Sequence, residues 1–193
     1  MEGGSYWIYE VNEEQYRPVG PPVIRTYQWR ERVSSAVTDH PRRRSFRVER
    51  FTRLAENQPW TLDSVFRVRV LDDELLRSAG NLDYVRLIFP VVESARWNGN
   101  AYNSLGPDLY QYRSIGRPFR LLNQTFPETA TVVQQNDSTG VSLNRRIEVY
   151  ARQIGLVYRE ESNLSYCTAS PACRGQIEYG YRRYVRLRTH GGP

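Results

Sequence analysis

Acidic residues stand side by side at Asp72-Asp73-Glu74 and at Glu160-Glu161, the kind of pairing that acid–base hydrolysis uses. On a strand, adjacent side chains point to opposite faces, so neither group aims two carboxylates at one bond. The histidines are His40, beside a turn, and His190, near the C-terminus, and they complete no Ser-His-Asp set. No phosphate-cradling glycine loop or metal-ligand array is present in the sequence. The expectation is therefore no catalytic residue, no metal and no cofactor, with an envelope-polymer hydrolase kept as a minority reading.

Cys167 and Cys173 carry the next chemistry. Two thiolates with two distant histidines make a poor zinc set, and the spacing is not the Cys-x-x-Cys of a redox pair. A disulfide is the favoured reading, and it implies export to an oxidising compartment. In the chain-entropy view so short a loop contributes roughly 2 kcal/mol, so the bond pins a loop more than it supports the fold.

The remaining candidate is Trp97-Asn98-Gly99-Asn100-Ala101-Tyr102-Asn103, inside the long irregular segment Glu93–Arg113. Asn-Gly is a turn signal, and long loops on rigid sheets often carry function. Two readings stand. In one, the loop lies over a partly apolar mouth at one end of the sheet, with Trp97 and Tyr102 as aromatic surfaces and Asn98 and Asn100 as polar orienting groups. In the other, Trp97 plugs the barrel end and Asn98-Gly99 is only a turn.

The chain of 193 residues has a formal net charge of +6, and its 27 cations are all arginine, since no lysine occurs. Together with 14 tyrosines and 4 tryptophans this suits an outer sheet face on which guanidiniums lie flat on rings and fork onto carboxylates. The balance makes an anionic partner conceivable. Dispersed, acid-interleaved arginines nevertheless read first as a solvated surface, and the Arg42-Arg43-Arg44 triplet as a hairpin tip rather than a phosphate contact. Nucleic-acid binding by an Arg/Tyr face is an alternative that the expected export disfavours.

These residues need strands to position them. The organising stretch is Ile147–Glu161, where Ile147, Val149 and Ala151 alternate with Glu148, Tyr150 and Arg152 before a reversal at Gln153-Ile154-Gly155. Further strands are expected over Ser5–Val11, Ile24–Thr38, Ser45–Leu54, Leu62–Leu71, Glu74–Ser78, Leu82–Phe89, Arg117–Leu122, Thr129–Gln135 and Ile177–Arg188. Turns fall at Asp39-His40-Pro41, Asp72-Asp73 and Asn136–Gly140, and a bulge is expected near Arg182-Arg183. The fold class is all-β: a strongly curved antiparallel sheet or flattened β-barrel of about nine to eleven strands with little helix. Residues 1–4 read as a start left after a removed leader, 5–189 as one β domain and 190–193 as a tail.

Tyr6–Val11, Trp60–Val65, Tyr84–Pro90, Trp97–Asn103, Glu148–Glu160 and the late cysteine pair together resemble a family of uncharacterised lipoproteins of Bacteroidetes-type bacteria. The turn Ala151–Tyr158 is also similar to hairpins in curved-sheet proteins related to outer-membrane lipoprotein carriers, which cradle acyl chains. The resemblance implies one β-rich domain behind a lipid-attachment leader, held at the outer membrane or periplasmic face of the cell envelope. It implies no activity. The function expected is a non-enzymatic envelope domain that binds an apolar ligand such as a lipid, or an envelope protein partner, at one end of the sheet. It touches membrane only through the removed lipidated leader.

Overall fold

The computed structural model describes residues 2–40 and 43–192. Pro41 of the expected turn, Arg42 of the arginine triplet, Met1 and Pro193 lie outside the described residues.

Alternating side chains broken by turn residues produce the strands β1 (Tyr6–Tyr16), β2 (Val23–His40), β3 (Arg43–Arg53), β4 (Thr61–Leu71), β5 (Glu74–Ala79) and β6 (Leu82–Ile88). The second half supplies β7 (Arg96–Asn98), β8 (Leu109–Leu121), β9 (Gln124–Ser138), β10 (Ser142–Ala151), β11 (Gly155–Tyr166) and β12 (Ile177–Gly191). All pair antiparallel in one 12-stranded sheet of order β6-β5-β4-β3-β2-β1-β12-β11-β10-β9-β8-β7. Sequence neighbours pair through hairpins, and β1 pairs β12 from Tyr6↔Gly191 to Tyr16↔Gly180. The two edges, β6 and β7, are consecutive in the chain and meet at a seam, so the sheet nearly closes into an up-and-down barrel.

The all-β reading holds, and the strand count is slightly higher than expected. The extra strand comes from Glu93–Arg113, which is less irregular than its composition suggested: it contains β7 and the start of β8. Strand β8 then bulges between Arg113 and Phe119, where Gly116 and Pro118 interrupt the ladder. The Glu93 carboxylate accepts the Ser114 and Ile115 N–H groups at 3.2 and 2.9 Å across this irregularity.

The reversal Arg152-Gln153-Ile154 joins β10 to β11, and Gly155 has φ +101°, a conformation that a Cβ disfavours. No bulge occurs near Arg182-Arg183. Tyr181, Arg183, Val185 and Leu187 keep one parity, and the register against both neighbours runs unbroken through Arg182 and Arg183. The bulges in β12's pairings fall instead opposite Ile8/Tyr9 and Ser165/Tyr166. His190 and Gly191, expected in a tail, pair with Trp7 and Tyr6.

A barrel of this strand number is too wide for small side chains alone to fill. One apolar cluster gathers Trp7, Tyr9, Val11, Trp29, Val33, Phe46, Val48 and Val185, and reaches Leu121 and Phe126 of the β8–β9 hairpin. That hairpin overruns the end of β10 and folds back on the sheet: Phe119 packs on Tyr158 with ring centroids 5.6 Å apart, and Gln124 Nε2 donates to the Arg188 carbonyl at 2.9 Å. A second cluster holds Leu76, Val85, Trp97, Tyr110, Tyr112 and Val132 around the seam.

Candidate functional site

The Trp97–Asn103 segment clasps the seam. Trp97 is buried, and its indole N–H donates to the Val85 carbonyl at 3.0 Å. Its ring meets Tyr112 and Tyr110 at centroid distances of 4.6 and 5.8 Å. Asn98 Oδ1 accepts the N–H groups of Asn100 and Asp108 at 3.0 and 2.9 Å, holding the loop shut. The buried Asn100 amide donates to the Gly106 carbonyl at 2.8 Å, and Asn103 Nδ2 reaches the Asp83 carbonyl across the seam at 2.9 Å. Tyr102 is half-exposed and donates to Glu74 at 2.7 Å. The four residues are thus brought together: Trp97 packs in the cluster at the seam, and the two asparagines spend these polar groups on the loop.

Cys167 and Cys173 form a disulfide across the β11–β12 connection, with Cα atoms 5.6 Å apart. Glu160 accepts the Tyr158 hydroxyl and Glu161 accepts from Arg183, so these adjacent carboxylates serve different partners.

What the sequence pattern did not reveal lies inside the barrel. Glu31 of β2 is buried, and its Oε1 accepts from Arg50 Nε and Nη2 at 3.1 and 2.6 Å and from Arg77 Nη2 at 2.9 Å. Glu148 of β10 is buried as well: Oε1 accepts from Arg159 Nε at 2.7 Å, and Oε2 accepts the Tyr150 hydroxyl at 2.6 Å. Arg86 of β6 approaches Glu148 at 3.7 Å. Strands β6 and β10 are far apart in the sheet order, so this contact requires the curved sheet to bring its halves face to face. The arginines also stack on rings, Arg77 on Phe66 at 3.9 Å and Arg50 on Trp29 at 4.1 Å, which fills volume while keeping charge.

Burial by itself would raise the Glu31 carboxyl, but Arg77 and Arg50 overcome it and hold the group at about 2. Arg159 and Arg86 do the same for Glu148, also about 2 against the same opposing burial. Burial pushes the Tyr9 and Tyr150 hydroxyls well up, with Glu31 and Glu148 reinforcing it respectively, so both stay protonated.

The sequence did hold a signal for half of this. Trp29, Glu31 and Val33 share a parity on β2, and Phe46, Val48 and Arg50 lie on the same side of the partner strand. A charge on an apolar face points inward. Glu148 gave the opposite impression, because it alternates with Ile147 and Val149 and reads as solvent-facing. All three are buried, since apolar packing covers one side of β10 and the polar cluster covers the other.

A third feature lies where β1, β2 and β12 converge: a cleft of about 570 Å³ lined by Glu13, Arg17, Arg25, Tyr181, Arg182, Arg183 and their neighbours. Its wall is rigid. Arg183 Nε donates to Glu13 at 2.6 Å, and the Tyr27 hydroxyl donates to the same carboxylate at 2.9 Å. The exposed Ile24 and Tyr179 belong to the ends of β2 and β12 at this side, and the exposed Val19 lies in the connection from β1 to β2.

Fold and site together define the class, an up-and-down antiparallel sheet nearly closed into a barrel, whose interior is crossed by an arginine–glutamate network. Compared with known proteins, the chain matches no protein-family model, no curated protein and no solved structure.

Proposed function

We propose that this chain is a non-enzymatic domain of the cell envelope that docks a protein partner through the barrel end where β1, β2 and β12 converge. The observation that carries the reading is the open cleft at this end, with its mixture of arginine, glutamate and the exposed Tyr181. Tyrosine and arginine are enriched at protein interfaces. The disulfide closes the neighbouring β11–β12 loop, which suits an oxidising, exported setting and limits the ordering cost of docking. The lipoprotein character and outer-membrane placement draw on the sequence resemblance. A leader ending in a lipidation cysteine on the full-length precursor would support them.

The partner reading is favoured over an apolar guest because Trp97 is buried in the second apolar cluster and does not offer its ring to a guest. A photo-crosslinking residue at Tyr181, in protein expressed in its own envelope, should give a discrete protein adduct that the same probe at Tyr102 does not. No adduct at Tyr181, with a co-purified lipid or glycan in native mass spectrometry, would replace this reading with small-ligand binding.

A further inference from the structure

We propose that the barrel interior binds a small inorganic anion, chloride in size, among the guanidiniums of Arg77, Arg86 and Arg159. The argument begins with charge. Among the described residues, Arg50, Arg77, Arg86 and Arg159 converge on two carboxylates, Glu31 and Glu148, leaving two positive charges in excess. Arginine does not shed its proton, so the imbalance is not relieved by titration. Uncompensated charge in a low-dielectric interior is costly unless a counter-charge is supplied.

The hydrogen bonds point to the same place. Arg50 and Arg159 each fork onto a carboxylate, whereas Arg86 comes only within 3.7 Å of Glu148 and its buried Nε has no acceptor among the described residues. Arg77 gives a single hydrogen bond to Glu31 while facing Arg159, Arg50 and Arg86 as like charges. The neutral groups nearby offer no compensation: the Tyr150 hydroxyl donates to Glu148 and the Tyr9 hydroxyl to the Leu156 carbonyl. Glu161 acts on Arg159 from the open end, but it is paired with Arg183, and both side chains are more than a quarter exposed, where solvent screens them. A monoatomic anion satisfies several N–H donors at once without needing a directional partner.

Thermal unfolding of the intact chain in sodium chloride and in sodium gluconate at matched ionic strength tests this, because gluconate is too bulky for a packed interior. The expected result is a saturable rise in Tm of about 5 °C specific to chloride. Arg86→Met, which removes the least satisfied guanidinium, should abolish the chloride-specific rise and leave the protein at least as stable in gluconate. Crystals soaked in bromide should show an anomalous peak among Arg77, Arg86 and Arg159, a readout that holds even if the variant does not fold. Equal Tm in the two salts, a full chloride effect in Arg86→Met, or bromide found on surface residues alone would each overturn the proposal.

Discussion

Trp97 and Val85 hold the barrel's edges together by a reciprocal arrangement. The indole N–H donates to the Val85 carbonyl at 3.0 Å, and the Val85 N–H donates to the carbonyl of Gly99, two residues beyond Trp97, at 2.9 Å. The Tyr112 hydroxyl makes a second such clasp, donating to the Ile88 carbonyl at 2.8 Å and accepting the Ile88 N–H at 3.0 Å. The seam between β6 and β7 is therefore closed by side chains and one turn rather than by a regular ladder.

Trp97→Ala should destabilise the domain by roughly 3–5 kcal/mol, because it removes a buried ring from the second apolar cluster. Trp97→Phe keeps much of the packing but leaves the Val85 carbonyl unsatisfied, and should cost about 1–3 kcal/mol. Urea unfolding measures both. Hydrogen exchange at the Val85 amide should accelerate in each variant beyond the change in global stability.

Gly99→Ala probes the same clasp from the other side. A Cβ built at Gly99 would lie 2.3 Å from the Tyr110 ring, and Tyr110 is fully buried with little room to yield. The expected cost is about 1–3 kcal/mol, as for overpacking elsewhere in cores. The check is a denaturation midpoint lowered without loss of the β-type far-ultraviolet spectrum.

Acid should unfold the barrel over a defined window. Glu31 and Glu148 are each held at about 2 in the fold against an ordinary value of 4.5. Between those limits the unfolded chain binds more protons than the native one, so stability falls as pH drops from about 4.5 towards 2. Protonating either glutamate leaves converging arginines without a counter-charge. Urea midpoints measured from pH 6 to 2.5 should therefore decline most steeply below 4.5, and Glu31→Gln should flatten that decline while lowering stability at pH 6.

Glu148→Ala is expected to cost about 3–5 kcal/mol, since Arg159 and Arg86 lose their shared partner in a buried setting. Replacing Glu148 and Arg159 together by methionine should cost less than the single change, because the desolvation penalty of both charges disappears with them. A double-mutant cycle on unfolding free energies decides this. A double variant no more stable than the Glu148 single would show that the pair stabilises the fold outright.

The Cys167–Cys173 bond closes a short loop, so Cys167→Ser/Cys173→Ser should lose about 2 kcal/mol and remain folded. Intact mass after thiol blocking, with and without reductant, confirms the bond before the melting curves are compared.

Much of this architecture is local, and local physics is legible in a sequence. The period of two in Phe66, Val68 and Val70, the Asp72-Asp73 turn and the Gly155 reversal each depend on residues a few positions apart, and each stands where it was expected. The three-residue β7 was not legible, because so short an edge strand carries no alternation to detect. The phase change imagined at Arg182-Arg183 came from treating arginine as outward, when Arg183 continues the parity of Tyr181 and Val185.

The sequence by itself determined an all-β chain, most of its hairpins and a credible cysteine pair, because strand alternation, turn chemistry and short-loop closure are nearest-neighbour effects. Only the tertiary structure decided that β1 pairs with β12, that Trp97 seals the seam, and that Glu31 and Glu148 face Arg77, Arg86 and Arg159 in the interior. The reason is physical: alternation distinguishes the two faces of a strand but not which face the curving sheet will enclose. That choice is made when remote strands meet and arginines from opposite sides of the sheet find the same two carboxylates.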